Sequence, residues 1–203
     1  MVEIHDITNT IFMSKTYILS QSGYDKAWIV DIGDVEPVFS YLQEKGLVVE
    51  GLFLTHAHFD HIYGLEALDA QYPGCKVYCT EYSKEALASD KLNMSKYHGT
   101  PIIYEKENVF LVHEGDRMAL FKDEPLMVFY ETPGHNPGCL TMVFGNMVFS
   151  GDAYIPGVRV NTKLPKANRE QANESLLRII KLAKGRIVLS GHEINQEINS
   201  FLR

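Results

Sequence analysis

Three imidazoles and a carboxylate fall within six residues in His56-Ala57-His58-Phe59-Asp60-His61. At this composition such a pattern arises by chance with a probability of roughly six in ten thousand. Metal ligation therefore outweighs the ordinary reading of histidines as scattered surface or core residues. In an extended or looping segment His56 and His58 turn to one side, while Asp60 and His61 turn toward an adjacent point. That favours two neighbouring cations over one closed cage.

A second regularity adds residues distant in sequence. Four apolar runs end in a small or hydroxyl residue and then in a ligand-type residue: LFLT before His56, FYETPG before His135, MVFSG before Asp152 and IVLSG before His192. Strands whose ends meet on one edge gather these side chains, and the glycines let the backbone approach closely. The candidate ligands are then His56, His58, Asp60, His61, His135, Asp152 and His192. Tyr154, two residues beyond Asp152, is a candidate substrate contact, competing with simple packing, and Tyr63 stands in the same position. Cys139 opens an apolar run and reads as a buried thiol. His98 lies in an unpatterned stretch within reach of a pocket.

The elements that must position these residues follow from periodicity. Short β-rich runs open the chain, TIFM, TYILSQ and KAWIVDIG, followed by a helix marked by Val38 and Leu42 and capped at Gly46. LVVEGLFLT reads as a buried strand that delivers the chain into the histidine cluster. Leu65, Leu68 and Tyr72 predict a helix stopped by Pro73-Gly74, KVYC a strand, and TEYSKEALASD a helix opened by Thr80. The run from Lys91 to Tyr104 is a candidate lid over the cations. VFLV, RMALF, LMVFYET, CLTMVF and NMVFS read as strands, with Gly145-Asn146 as a tight hairpin turn. Asn168 and Gln171 form a capping box for a helix whose stripe is Ala172, Leu176, Ile179, Ile180 and Ala183, closed by Gly185. RIVLS is a last strand, and Ile194, Ile198 and Phe201 suggest a short terminal helix. Two β-rich halves, each followed by helices, suit two packed sheets with helices on both outer faces.

Composition is that of an ordinary globular chain of 203 residues, 45% hydrophobic and 22% charged, and residues 1–203 are expected to form a single domain. A formal net charge of -7 works against nucleic acid or an anionic membrane as partner and leaves a small-molecule substrate. The opening MVEIHDITNTIF lacks a basic region before a long apolar run, so the expected location is cytoplasmic. Three cysteines without paired spacing do not suggest a disulfide framework.

THAHFDHIYG, TPGHNPG, SGDAY and SGHE, in that order, resemble the metallo-β-lactamase superfamily and, within it, the glyoxalase II-like branch. The resemblance runs from about Thr10 to His192. It implies an α+β fold, a four-layer αββα sandwich with mixed sheets and a metal centre at one edge. It also implies that His56, His58 and His135 hold one cation, that Asp60, His61 and His192 hold a second, and that Asp152 bridges them. Zinc is the expected metal, with iron or manganese suited to the same donors. Two such cations lower the pKa of a shared water toward neutrality. The implied activity is hydrolysis of a small ester, thioester or lactone by the bridging hydroxide, with Asp60 orienting the nucleophile.

Departures from the family refine this expectation. Only 11 residues follow His192, too few for the helical region that helps glyoxalase II proper bind glutathione. Asp152 points away from class B β-lactamases. Two alternatives share the signature: an iron-dependent oxidoreductase resembling the persulfide dioxygenases, with His56, His135 and Asp152 as its facial triad, and a non-catalytic, metal-dependent ligand-binding protein.

Overall fold

The structure, a computed structural model, describes residues 1–193. Six strands, β1 (Val2–Thr8), β2 (Lys15–Gln21), β3 (Lys26–Val30), β4 (Val48–Phe53), β5 (Lys76–Cys79) and β6 (Val109–Leu111), form one sheet in sequence order. The second sheet runs β11-β10-β9-β8-β7, from β7 (Arg117–Ala119), β8 (Leu126–Glu131), β9 (Leu140–Phe144), β10 (Met147–Gly151) and β11 (Ile187–Ser190). Both are mixed: β1 to β3 pair antiparallel and β3 to β6 parallel, while β7 to β10 are antiparallel and β11 runs parallel to β10. Four α-helices, α1 (Val35–Lys45), α2 (Leu65–Gln71), α3 (Glu81–Leu87) and α4 (Arg169–Ala183), and two 3-10 turns, Phe59–His61 and Ser95–Tyr97, complete the described elements.

Strand alternation explains the layering. On β2 to β4, Ile18, Ile29 and Leu52 face a cluster shared with Val38 and Leu42 of α1 and Leu65 and Leu68 of α2. Their neighbours Leu19, Trp28, Val30 and Phe53 face the other way, meeting Phe129, Met142 and Phe149 of the second sheet. On that sheet's far side Val143 and Val148 pack with Ile179 of α4. The result is an α+β sandwich, two mixed sheets with helices on both outer faces.

Three local readings change. TIFM is a turn rather than a strand, with Phe12 and Met13 at positive φ, and the first strand is the charged VEIHDIT. β1 is an edge strand in which only Ile7 is fully buried, and the adjacent His5 and Asp6 break the alternation that a half-buried strand shows. On α4, Ala172, Ser175 and Ile179 are buried but Ile180 is 49% exposed, because the contact face is rotated toward Ser175, whose hydroxyl donates to the Pro133 carbonyl. Asn168 caps that helix as its spacing suggests, accepting from the amides of Glu170 and Gln171. The suggested helix with Ile194, Ile198 and Phe201 lies outside the described residues. Among the described residues no helix is long and apolar enough to cross a membrane.

Phe53 is fully buried, stacks on Trp28 at 5.1 Å and reaches Phe129 of the opposite sheet at 5.5 Å. Urea denaturation should show Phe53→Ala costing about 3–5 kcal/mol and Ile180→Ala less than about 0.5 kcal/mol. Equal losses would contradict this division of the core.

Candidate metal centre

The strand ends converge where the two sheets meet. β4 runs out through Leu54 and Thr55 into His56, and a 3-10 turn, Phe59–His61, folds the rest of the motif back on itself. His135 follows β8, Asp152 follows β10 and His192 follows β11. Backbone hydrogen bonds sew these ends together: Leu140 N donates to the Thr55 carbonyl at 2.7 Å, Gly191 N to that of Gly151 at 2.9 Å, and Lys15 N to that of Gly191 at 2.8 Å. Lys15 Nζ, nearly buried, pairs with Asp6 and Glu193 at 2.7 Å each and so braces the turn that carries His192.

All seven candidate ligands are buried, and their donor atoms fall into overlapping sets within 4.8 Å: His56, His58 and His135; Asp60, His61 and His192; and His56, His61 and Asp152. In the first set His58 Nδ1 lies 3.0 Å from His56 Nε2 and 3.1 Å from His135 Nε2. Asp152 stands between the sets, with Oδ2 3.5 Å from His135 Nε2 and 3.1 Å from His192 Nε2, and Oδ1 3.5 Å from His61 Nε2.

Two observations test whether divalent cations fit. Among the described residues, His61 Nε2 and Asp152 Oδ1 are buried polar atoms with no hydrogen-bond partner. Leaving such a group unsatisfied costs about 1–3 kcal/mol, which a cation between them would remove. The donors are also the right kind, imidazole nitrogen and carboxylate oxygen in a tight buried cluster. The residues present fit a pair of divalent cations.

Protonation is divided in the same way. Burial holds His56, His58 and His135 below the usual imidazole range, leaving neutral rings, the form in which imidazole ligates a cation. Burial also works against charge on His61 and His192, but the nearby carboxylates, above all Asp60 for His61 and Asp152 for His192, outweigh it and raise both. Asp152, against its own burial, is held well below the usual carboxylate range by His192 and His61.

Outer partners aim the rings. His135 Nδ1 donates to the Asn161 carbonyl at 3.1 Å and His192 Nδ1 to that of Phe12 at 2.9 Å, which leaves each Nε2 facing inward. His58 Nε2 meets the side-chain amide of Asn136 at 3.0 Å. His61 Nδ1 lies 2.9 Å from Asp31 Oδ2, and Asp31 also accepts from Thr55 N and Thr55 Oγ1 at 2.7 and 2.6 Å. Asp31 has φ 55, a conformation that aspartate tolerates better than most residues. Sequence reading passed over Asp31 and Asn136. Asp31 nonetheless carries the same signal as the ligands, a polar residue at the end of the apolar run AWIV. Asn136 carries none beyond its place next to His135.

A cavity of about 400 Å³ opens onto this cluster, lined by His58, Asp60, His135, Asp152 and His192 together with Thr10, Phe12, Met13, Phe59, Met94, His98, Asn161 and Leu164. The Lys91–Tyr104 run contributes Met94 and His98 to its wall and is anchored by Asn93, whose amide donates to the Ala86 and Ile102 carbonyls. Tyr154, by contrast, packs with Cys139, Val148 and Ile179 beneath α4, because the turn after β10 directs it to the outer face of the sheet. Tyr63 donates to Asp34 at 2.6 Å, and Cys139 is a buried thiol whose pKa burial raises.

Asp31→Asn removes the anionic partner of His61, and cation affinity measured by chelator competition should fall about 10–100-fold with the fold retained. Gly191→Ala would place a Cβ 2.1 Å from Asp152 Oδ1, so bound metal per chain, read by elemental analysis, should fall. Unchanged stoichiometry in that variant would argue against Asp152 as a shared ligand.

Comparison with known proteins places this geometry in a family. A sequence model described as the metallo-beta-lactamase superfamily matches residues 19–192. A Bacillus subtilis protein named probable metallo-hydrolase YqgX is 31% identical over 165 residues, covering 79% of this chain and 76% of that protein. The hydroxyacylglutathione hydrolase of Psychromonas ingrahamii is 26% identical over 184 residues, covering 89% of this chain but only 61% of the relative, so the chain spans about three fifths of that enzyme's length. Among solved structures, the B3 metallo-beta-lactamase BLEG-1 superposes with a TM-score of 0.85 at 27% identity, covering 96% of this chain and 92% of that one. TTHA1623, solved in a di-iron-bound form, superposes with a TM-score of 0.79 at 25% identity, with 98% of both chains covered. With the histidine and aspartate clusters at the junction of its two sheets, the chain belongs to the metallo-β-lactamase superfamily.

Proposed function

We propose that this protein is a hydrolase that holds two divalent cations and cleaves a small ester, thioester or lactone. The observation that carries the reading is the position of Asp152, whose carboxylate reaches His135 on one side and His61 and His192 on the other. His56, His58 and His135 would hold one cation, Asp60, His61 and His192 the other, and Asp152 would be shared. The names of the relatives support hydrolysis, and the hydroxyacylglutathione hydrolases among them support a thioester-like bond. Zinc is the first candidate, and the di-iron form of TTHA1623 supports iron as a second.

Divalent cations in these positions supply Lewis acidity toward a carbonyl oxygen and make a water acidic enough to react near neutral pH. The protein's own part is proton handling and positioning. Asp60 lines the cavity, its Oδ2 3.4 Å from His192 Nε2 and 3.5 Å from His61 Nε2, and its main-chain carbonyl accepts from the Ser14 hydroxyl at 2.7 Å. So fixed, its carboxylate takes the proton that the attacking water loses as the water oxygen bonds to the carbonyl carbon. The bond to the departing oxygen or sulfur then breaks, and the same proton returns to the leaving group. Asn161 and Phe12 keep His135 and His192 oriented throughout through their carbonyls.

Elemental analysis by plasma mass spectrometry, on protein purified without added metal or chelator, should find about two metals per chain. Asp152→Ala should lose at least one of them, with kcat/KM on ester, thioester and lactone substrates down on the order of a hundred- to a thousandfold. Full activity with both metals retained would refute the shared carboxylate. Close to one iron per chain with little zinc would transfer the assignment to dioxygen chemistry.

A further inference from the structure

The cavity has two characters. Beneath lie the candidate ligands, and around them stand Phe12, Met13, Phe59, Met94, His98 and Leu164. Three rings close one corner: His98 lies flat on Phe59 with centroids 3.9 Å and planes 8° apart, and Phe12 stands nearly perpendicular to both, 5.5 and 5.6 Å away. Large side chains rarely adopt positive φ, yet Phe12, Met13 and Met94 do, at 52°, 53° and 68°. They are half of the described non-glycine residues with that conformation, and all three line this one cavity. Strained backbone gathered in this way points to a site rather than to a requirement of the fold.

The strain is held by the bonds that aim the ligands. The Phe12 carbonyl accepts from His192 Nδ1, and the Met13 carbonyl accepts from Glu193 N at 2.9 Å. Phe59, between His58 and Asp60, donates its amide to the carbonyl of Asn93, the residue before Met94, at 2.8 Å. The aromatic corner is thus placed at a fixed offset from the reacting centre. No lysine or arginine lines this cavity among the described residues, and Arg159 stands in the small adjoining pocket beyond His135, Asp152 and Asn161, away from the aromatic corner's lining.

We infer that Phe12, Phe59 and His98 form a recognition wall for an uncharged apolar chain, so that the substrates are neutral acyl esters, thioesters or lactones rather than conjugates of an anionic peptide. This rests on the hydrolase reading above and names the substrate class of the same site. The rings take the chain beside the scissile carbonyl, and its burial orients that carbonyl over the ligands.

The test separates the two ideas. Metal-loaded protein is assayed on p-nitrophenyl esters from acetyl to octanoyl and on an S-acyl glutathione. Binding of 2-nonanone, a neutral ketone without a leaving group, is measured by calorimetry on metal-loaded and on chelator-treated protein. Wild-type kcat/KM should rise about threefold per methylene up to hexanoyl, and 2-nonanone should bind with or without metal. Phe12→Asn removes the ring while keeping a residue suited to the left-handed conformation, and His98→Ala acts at an exposed position. Each should flatten the chain-length profile and weaken ketone binding about tenfold. Hydrolysis with a flat profile unchanged in both variants, a preference for the glutathione thioester, or no ketone binding would overturn the wall and leave the hydrolase standing. Ketone binding weakened in both variants, without hydrolysis of any substrate, would keep the wall and discard the hydrolase.

Discussion

Five imidazoles and two carboxylates, withdrawn from water and packed within a few ångströms of one another, cannot satisfy themselves. Among the described residues two of their polar atoms, His61 Nε2 and Asp152 Oδ1, are left without a hydrogen-bond partner. Burial holds His56, His58 and His135 as neutral rings, whereas Asp152, beside His192 and His61, is held in its charged form against its own burial. Positive charge placed between the two groups relieves both halves at once. The rest of the molecule is organised to hold that frustrated arrangement in place.

The sandwich does so by dividing the labour. The core between the sheets, with Trp28, Phe53, Phe129 and Phe149, fixes the angle and spacing of the strands. The strand ends, freed from packing, then carry the ligands on short backbone connections. Asp31 links the two levels: it directly follows β3, binds Thr55 at the exit of β4 and holds His61. One buried carboxylate thereby couples sheet geometry to ring orientation.

Much of this was legible in the chain, and the illegible parts share a cause. The HxHxDH cluster, the strand-end pattern and the cap at Asn168 are local signals, written within a few residues of where they act. TIFM misled because its apolar character serves a cavity wall and not a strand, so hydrophobicity was present without the matching backbone. Tyr154 stood open between substrate contact and packing, since a strand-end position says nothing about which face the following turn presents, and it packs. Asn136 and the carbonyls of Phe12 and Asn161 act through main chain or amide groups that nearly any sequence contains. Their role is created by tertiary placement alone.

The parallel pairing of β10 with β11 joins segments separated by all of α4, so Asp152 and His192 are neighbours in space but forty residues apart in the chain. Ribosomal synthesis runs from the N-terminus, which gives the ligand sets a natural order in time. The three imidazoles of His56, His58 and His135 emerge before Asp152, while the other set stays incomplete until β11 has emerged and docked. An order of synthesis is thereby built into the cluster, since the His56, His58 and His135 set is present in the chain before the set that needs His192.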